Sequence, residues 1–355
     1  MKILKKIIKI LVLLTKKKTF GFVSISNIIT NEEFAIASDL IKADDQLLIN
    51  SFEKKFANLI GNGSVKSYSA GRMGFHELMG TLSIGNGDEV IVNSGNCAVM
   101  INAILDLGAK PIYSDVDLDT FGSCPIEIEK KISLKTKMIV AQHSFGIPCK
   151  IDKIKQIANN HKIFLLEDCA LTLESRFKKI KVGNYGDASL FSFDHTKPLN
   201  GFSGGVIYTK QKLLYEKLQI AHQDLGALSK KKQRAMLRRH ILEQRLISSN
   251  NYKLLKIFDL INSMRLRLGF ISPFLNENTG INNINCSYAY PSKMSTFTAN
   301  ILSNNIDKTW NKLKKLRERN LRILIKELKP TKLGDFIPQI YFDKNNEIVP
   351  LRLIL

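Results

Sequence analysis

The chain has 355 residues, 44% of them hydrophobic, and a formal net charge of +21 from 53 basic and 32 acidic side chains. That apolar fraction supports a large core and excludes a disordered polycation, while 21 glycines and 9 prolines exclude collagen-like and low-complexity classes. A basic balance leaves nucleic acid, an anionic membrane surface or phosphorylated substrates to be weighed.

Residues 1–18 hold seven lysines and no acid. Their longest apolar run, Ile10–Leu14, falls far short of the roughly 20 residues that span a bilayer. Lys16–Lys18 stand where a signal peptide would need small residues for cleavage. As a helix the segment is amphipathic, with Ile3, Leu4, Ile7, Ile8, Leu11 and Leu14 opposite Lys2, Lys5, Lys6 and Lys9. Such a helix suits an anionic membrane surface, and equally the surface of its own protein or of a partner subunit.

From about residue 50 to 210, short apolar runs alternate with helical patterns. The expected strands are Glu89–Asn93, Pro111–Asp115, Met138–Gln142, Ile163–Glu167, Ser189–Phe193 and Gly205–Tyr208. Helices are expected between several of them, at Ala98–Leu107, Pro125–Ile132 and Lys153–Asn160. This alternation predicts an α/β fold with a mainly parallel mixed sheet sandwiched by helices. In such sheets ligands bind beyond the carboxyl ends of the strands.

Residues 211–270 read as helical, and carry fourteen Lys and Arg against four acids between 210 and 270. This stretch and residues 1–18 together hold 17 of the 21 excess charges, so the body of the chain is nearly neutral. Pro273 breaks the helical pattern and an Asn-rich loop follows. Helical spacing resumes at Met294–Asn304 and Lys308–Leu328 and stops at Pro330. Ile348–Leu355 reads as a last, edge strand because of Pro350. An apolar strand at the very end points to a short C-terminal domain or a chain cut there. The five cysteines, Cys97, Cys124, Cys149, Cys169 and Cys286, form no CxxC pair, which argues for a reducing compartment and against a metal motif.

The segment richest in chemistry is 163–205. A buried strand ends in Glu167-Asp168; a second apolar strand carries Ser192, and Lys197 follows five residues later. An acid and a lysine at strand exits suit pyridoxal phosphate chemistry: the amine holds the cofactor as a Schiff base and moves protons at the substrate carbon. The acid keeps the ring nitrogen protonated. A hydroxyl such as Ser192 can take the phosphate.

These residues carry a resemblance. Leu166-Glu167-Asp168-Cys169-Ala170-Leu171 and Phe191-Ser192-Phe193-Asp194-His195-Thr196-Lys197-Pro198-Leu199 are similar to the signatures of the DegT/StrS-type sugar-nucleotide aminotransferases, fold type I pyridoxal phosphate enzymes. Gly87-Asp88-Glu89-Val90-Ile91-Val92, Asp115-Val116-Asp117 and His143-Ser144-Phe145-Gly146 extend the likeness over about residues 50–210, with weaker matches to about 325. The resemblance implies Lys197 as the catalytic, cofactor-attaching lysine. It implies Asp168 as the partner of the ring nitrogen, Ser192 and Gly71-Arg72 as phosphate ligands, and Cys97 at the ring face. Lys293 and His195 are candidates near the substrate. No metal is expected.

The implied organisation is a basic N-terminal helix (1–19), a large cofactor-binding α/β domain (20–210), a basic helical insertion and loop (211–285), and a small C-terminal domain (286–355) that is either short or cut. The implied reaction moves an amino group, from glutamate, to a nucleotide-linked keto sugar in amino-sugar or surface-polysaccharide synthesis. A cytoplasmic homodimer is implied, with residues 1–18 as a candidate contact to the inner face of the membrane.

Departures from the pattern keep two further readings open. Cys97 replaces an aromatic ring, Leu171 a Gln or His, and Pro291 and Lys293 fall within a motif that ordinarily reads Gly-x-Asn-x-Arg-Met. A dehydratase of the same family is one alternative, although relatives of that kind carry histidine where Lys197 stands. A catalytically impaired scaffold on a membrane surface is the other. Within 226–245, Leu237, Ile241 and Leu242 share helical spacing, as do Met236 and His240, among Lys230, Lys231, Lys232, Arg234, Arg238, Arg239 and Arg245. With no recognisable duplex-binding motif or stacking platform, this helix is expected to face solvent or an anionic substrate, then membrane, and nucleic acid is not expected as a partner.

Overall fold

The computed structural model describes residues 31–42, 45–246 and 283–352, with isolated positions between 254 and 280. The amphipathic segment 1–18, most of 247–270 and the last three residues lie outside the described residues.

In chain order the elements are α1 (Asn31–Leu40), α2 (Gln46–Ile60), β1 (Ser64–Tyr68), α3 (Gly71–Thr81), β2 (Glu89–Asn93), α4 (Ala98–Asp106), β3 (Lys110–Ser114), α5 (Pro125–Glu129), β4 (Thr136–Gln142), α6 (Ile151–His161) and β5 (Phe164–Asp168). A small hairpin, β6 (Arg176–Phe177) and β7 (Ile180–Lys181), precedes β8 (Ala188–Ser192) and β9 (Gly205–Thr209). Then come α7 (Lys212–Gln223), β10 (Gly226–Ala227), α8 (Lys230–Arg245), a hairpin of β11 (Asn278–Gly280) and β12 (Asn283–Asn285), β13 (Ser292–Lys293), α9 (Thr296–Asn305) and α10 (Asn311–Leu328). All six expected strands are present within two residues of their expected limits.

Nine strands form one sheet in the order β10-β13-β1-β9-β8-β5-β4-β2-β3. The run from β8 to β3 is parallel, while β9 is antiparallel to both β8 and β1. Both faces are covered, which is why these strands read as near-continuous apolar runs. Val90, Met138, Val140, Leu166 and Leu190 pack on one face with Phe75, Leu78 and Met79 of α3, Ile104 of α4 and Leu218 of α7. Their alternating neighbours Ile91, Ile139, Ala141 and Leu165 pack on the other with Ile151, Ile154 and Ile157 of α6. Further along that face, Phe191, Val206 and Tyr208 meet Phe52, Phe56 and Ile60 of α2.

Two sequence expectations need correction. The described part of 348–355 is not a strand. The one bridge lies just before it, Glu347 to Arg176, and the segment then hangs on side-chain and loop contacts, Val349 N–H to Ser175 Oγ at 3.0 Å and Leu351 N–H to the Phe145 carbonyl at 2.8 Å. Pro350 between them has no N–H to give to a ladder. The stretch 211–246 is not wholly helical either: Gly226–Ala227 pair in parallel with Ser292–Lys293 at the sheet edge. No helix among the described residues is long and apolar enough to cross a membrane.

Candidate active site

The carboxyl ends of β2, β4, β5 and β8 open into one cavity of about 610 Å³. Each strand delivers residues at its end or within five residues beyond it: Asn96 and Cys97 after β2, Ser144 after β4, Asp168 closing β5, and Ser192, Asp194 and Lys197 from β8 and its loop. Gly71 and Arg72, the first residues of α3, complete the wall.

Asp168 is buried at 5% exposure. Burial raises its carboxyl above the ordinary value, opposed by the Ala170 N–H, which donates to Oδ1 at 3.0 Å, and by the Lys197 and His143 charges. A buried carboxylate facing a cavity that also holds a lysine is matched to a cationic ring nitrogen.

Ala70 caps α3 without a side-chain hydrogen bond, so no cap side chain covers the first amides of the helix, those of Gly71 and Arg72, whose residues line the cavity. A Cβ on Gly71 would lie 3.2 Å from Ser192 Cβ and 3.3 Å from the Phe191 carbonyl oxygen, so glycine brings the helix start against the end of β8. Helix amides, a hydroxyl and the Arg72 guanidinium thus border one corner, the chemistry of an anion cradle. Arg72 also donates to the Leu275 carbonyl at 2.5 Å.

Lys197 sits on a loop that folds back on itself. The Lys197 N–H meets the Asp194 carbonyl at 2.9 Å, the Phe193 N–H meets the Gly204 carbonyl at 2.8 Å, and the Gly201 N–H meets the Phe193 carbonyl at 2.9 Å. His195 Nδ1 is 2.8 Å from Asp194 Oδ1. Burial alone would raise the Asp194 carboxyl, but the His195 bond and charge and the Lys197 charge hold it below its ordinary value.

Behind Asp168, Glu167 is fully buried. It accepts N–H groups from Gly183 (2.8 Å), Tyr185 (2.6 Å) and Gly186 (2.7 Å), and faces His143 Nε2 at 3.1 Å. His143, Glu167 and Cys169 lie close enough together to suggest a metal centre. Their chemistry argues otherwise: the carboxylate is already saturated, the Cys149 N–H occupies His143 Nδ1, and burial pushes the Cys169 thiol up to about 12. The cluster is a fold anchor beneath the cavity.

Of the sequence-derived residues, Gly71, Arg72, Cys97, Asp168, Ser192 and Lys197 come together around this cavity. His195 and Lys293 are not in its wall. Lys293 pairs with Tyr68 on the sheet edge, and its Nζ donates to the Gln223 carbonyl at 2.8 Å. Sequence reasoning did not single out Asn96, Gln142 or Asp194 as site residues. Their signal was position alone, at or just beyond strand ends. Asn96 Nδ2 is buried in the wall with no hydrogen-bond partner among the described residues, a donor left for a ligand. A carboxylate, an amine, an anion cradle and an unused amide around one cavity fit pyridoxal 5'-phosphate.

Comparison with known proteins agrees with this chemistry. The family model of the DegT/DnrJ/EryC1/StrS aminotransferases matches residues 33–268. A GDP-perosamine synthase of Escherichia coli O157:H7 is 37% identical over 169 residues, 48% of this chain and 46% of that protein. The chain spans about half the length of the curated relatives it matches. Among solved structures, the aminotransferase from Psychrobacter cryohalolentis has a TM-score of 0.67 at 21% identity, covering 94% of this chain and 76% of that one. NtdA from Bacillus subtilis, solved with bound cofactor PMP, has a TM-score of 0.60 at 20% identity, covering 95% and 67%. These likenesses give the fold.

Proposed function

Because the chain belongs to the DegT/DnrJ/EryC1/StrS aminotransferase family, we propose that it transfers an amino group, from glutamate, to a nucleotide-linked keto sugar, using pyridoxal 5'-phosphate. The observation that carries this reading is the shared cavity of Asp168 and Lys197 with the cradle of Gly71 and Ser192. The matched relative named GDP-perosamine synthase supports the substrate class.

When bound, the cofactor supplies an electron sink that loosens bonds at the carbon bearing the amine. Lys197 Nζ provides the attachment and then takes and returns a proton at that carbon. Asp168 holds a positive charge at the ring nitrogen, its buried carboxylate being matched to a cation. The Gly71 and Arg72 amides, the Arg72 guanidinium and the Ser192 hydroxyl hold the phosphate. Cys97, in the cavity wall, would offer the ring face a thinner surface than an aromatic side chain. Asp194 fixes the loop that presents the lysine.

The same reading makes the protein a homodimer whose second subunit completes the substrate side of the cavity, where Lys293 or His195 would act. Residues 1–18 would add a peripheral membrane contact, tested by vesicle flotation of the chain with and without them; equal flotation removes it.

The decisive experiment mixes the protein with pyridoxal phosphate, reduces with borohydride and maps the modified peptide. The expected result is a visible band and modification at Lys197, both lost in Lys197→Ala. Absence of modification at Lys197 removes the enzyme reading. Glutamate-dependent formation of an amino sugar separates transamination from dehydration, which needs no amino donor.

A further inference from the structure

We propose that helix α8, through His240, is a clamp that positions the Lys197 loop. The inference rests, for its catalytic meaning, on Lys197 being the attachment lysine.

Phe202 lies on the return arm of that loop with φ at +70°, a left-handed conformation that a bulky side chain holds only when its surroundings enforce it. Two enforcers are visible. The Phe202 N–H donates to Asn200 Oδ1 at 2.8 Å. Its ring is boxed by the His240 ring at 4.0 Å between centroids, edge to face, and by Phe34 and Phe297 at 5.8 and 6.0 Å. His240 is 4% exposed, and its Nε2 faces Asn200 Nδ2 at 3.5 Å. One histidine therefore backs both the ring that carries the strained residue and the amide that holds its N–H.

The surrounding cluster joins Phe202 to Phe34, Ala37 and Ile41 from the α1 region, Leu237 of α8, and Phe297 and Ile301 of α9. Met236, Leu237 and His240 give α8 a buried side, while Lys230, Lys231, Arg234, Arg238 and Arg245 are exposed. Two cations also tie the helix down: buried Lys232 donates to the Ser272 carbonyl at 3.0 Å and lies over the Tyr288 ring, and Lys230 donates to the Lys42 carbonyl at 2.9 Å. Its apolar side is seated against the chain that presents Lys197, and Lys231, Arg234, Arg238 and Arg245 are left to solvent.

The test uses amide hydrogen exchange on the cofactor-free full-length protein, and borohydride fixation of pyridoxal phosphate on the same samples. His240→Ala removes ring and nitrogen; His240→Gln keeps a polar end at lower risk to the fold. The clamp predicts exchange at 193–204 about tenfold or more faster in His240→Ala, a smaller rise in His240→Gln, and no change in β8 or β5. Fixation at Lys197 slows in parallel. Unchanged exchange at 193–204, or an equal rise throughout the sheet in both variants, overturns the proposal. Wild-type protein that is never fixed at Lys197 overturns the cofactor reading instead, while the exchange result still judges the clamp.

Discussion

Gly205, which opens β9, is pressed against Gly71, which opens α3: a Cβ on Gly205 would lie 2.3 Å from both the Cα and the nitrogen of Gly71. Those atoms are backbone, so no rotamer change relieves the clash. Gly205→Ala must therefore drive the helix start away from Ser192 and spread the anion cradle. We expect a loss of about 2–4 kcal/mol, near the upper end for overpacking, and phosphate-dependent cofactor affinity weakened about tenfold or more. Gly80, near the end of the same helix, is the control. A Cβ there meets nothing within 4 Å, so Gly80→Ala should gain about 0.5–1 kcal/mol. Thermal melts and a cofactor titration check both; equal behaviour of the two variants contradicts the argument.

Asp168→Asn separates cofactor capture from catalysis. The asparagine fits the same space but carries no charge for a ring nitrogen. Lys197 keeps its place, so borohydride fixation should persist. Turnover should fall about 100-fold or more, the scale of losing an electrostatic stabiliser in a closed site. Full turnover in this variant would remove Asp168 from the role assigned to it.

Much of this site was legible because β-branched runs mark the strands and the chemistry sits at their ends. Asp168 and Lys197 were readable from strand exits plus family resemblance. Strand β1 was not. Its sequence SVKSY hides buried Lys66 and Ser67, which a strand tolerates here only because Glu53 of α2 meets Lys66 Nζ at 3.0 Å and the Ser67 N–H at 2.9 Å. That partner lies 13 residues upstream of Lys66, beyond any local pattern. Lys293 failed to reach the cavity for a similar reason: the pairing of its strand with β1 and β10 fixes its position, and no local motif reveals that pairing. The charge excess became partly intelligible only with α8 in place, most of its cations outward, Lys232 and His240 inward.

Glu167→Gln should destabilise the protein although it changes almost no volume. The carboxylate accepts three N–H groups from residues 183–186 and faces His143. An amide offers one oxygen and sets its NH₂ against at least one of those donors. Loss of charged hydrogen bonds and a buried unpaired donor together give about 2–4 kcal/mol. Chemical denaturation measures it. Because Asp168 is the next residue along β5, cofactor fixation should also slow. A variant as stable as the parent would mean that the turn at 183–186 is held by other contacts.

Acid should destabilise the fold through two buried histidines. Burial, with the Lys66 charge, pulls the His222 imidazole down to about 4, against the pull of its bond to the Ser67 carbonyl at 2.9 Å. Burial, with the His195 charge, pulls His240 down to about 3. An unfolded histidine titrates near 6.5. Below that pH the unfolded chain takes up protons that the folded chain refuses, so stability falls with falling pH, beginning near 6.5 and continuing toward 4. Each histidine contributes a slope of up to about 1.4 kcal/mol per pH unit in that window. Carboxylates held below their ordinary values, such as Glu174 and Asp152, act in the same direction only at lower pH. Above about pH 7 neither histidine contributes any slope. His222→Gln keeps an N–H donor for Ser67 and removes the titration, so its stability should fall less steeply between pH 6.5 and 5 than that of the parent, whatever its absolute value. Denaturant midpoints across that range give the comparison; parallel curves would mean that His222 takes its proton in the folded state as readily as in the unfolded one.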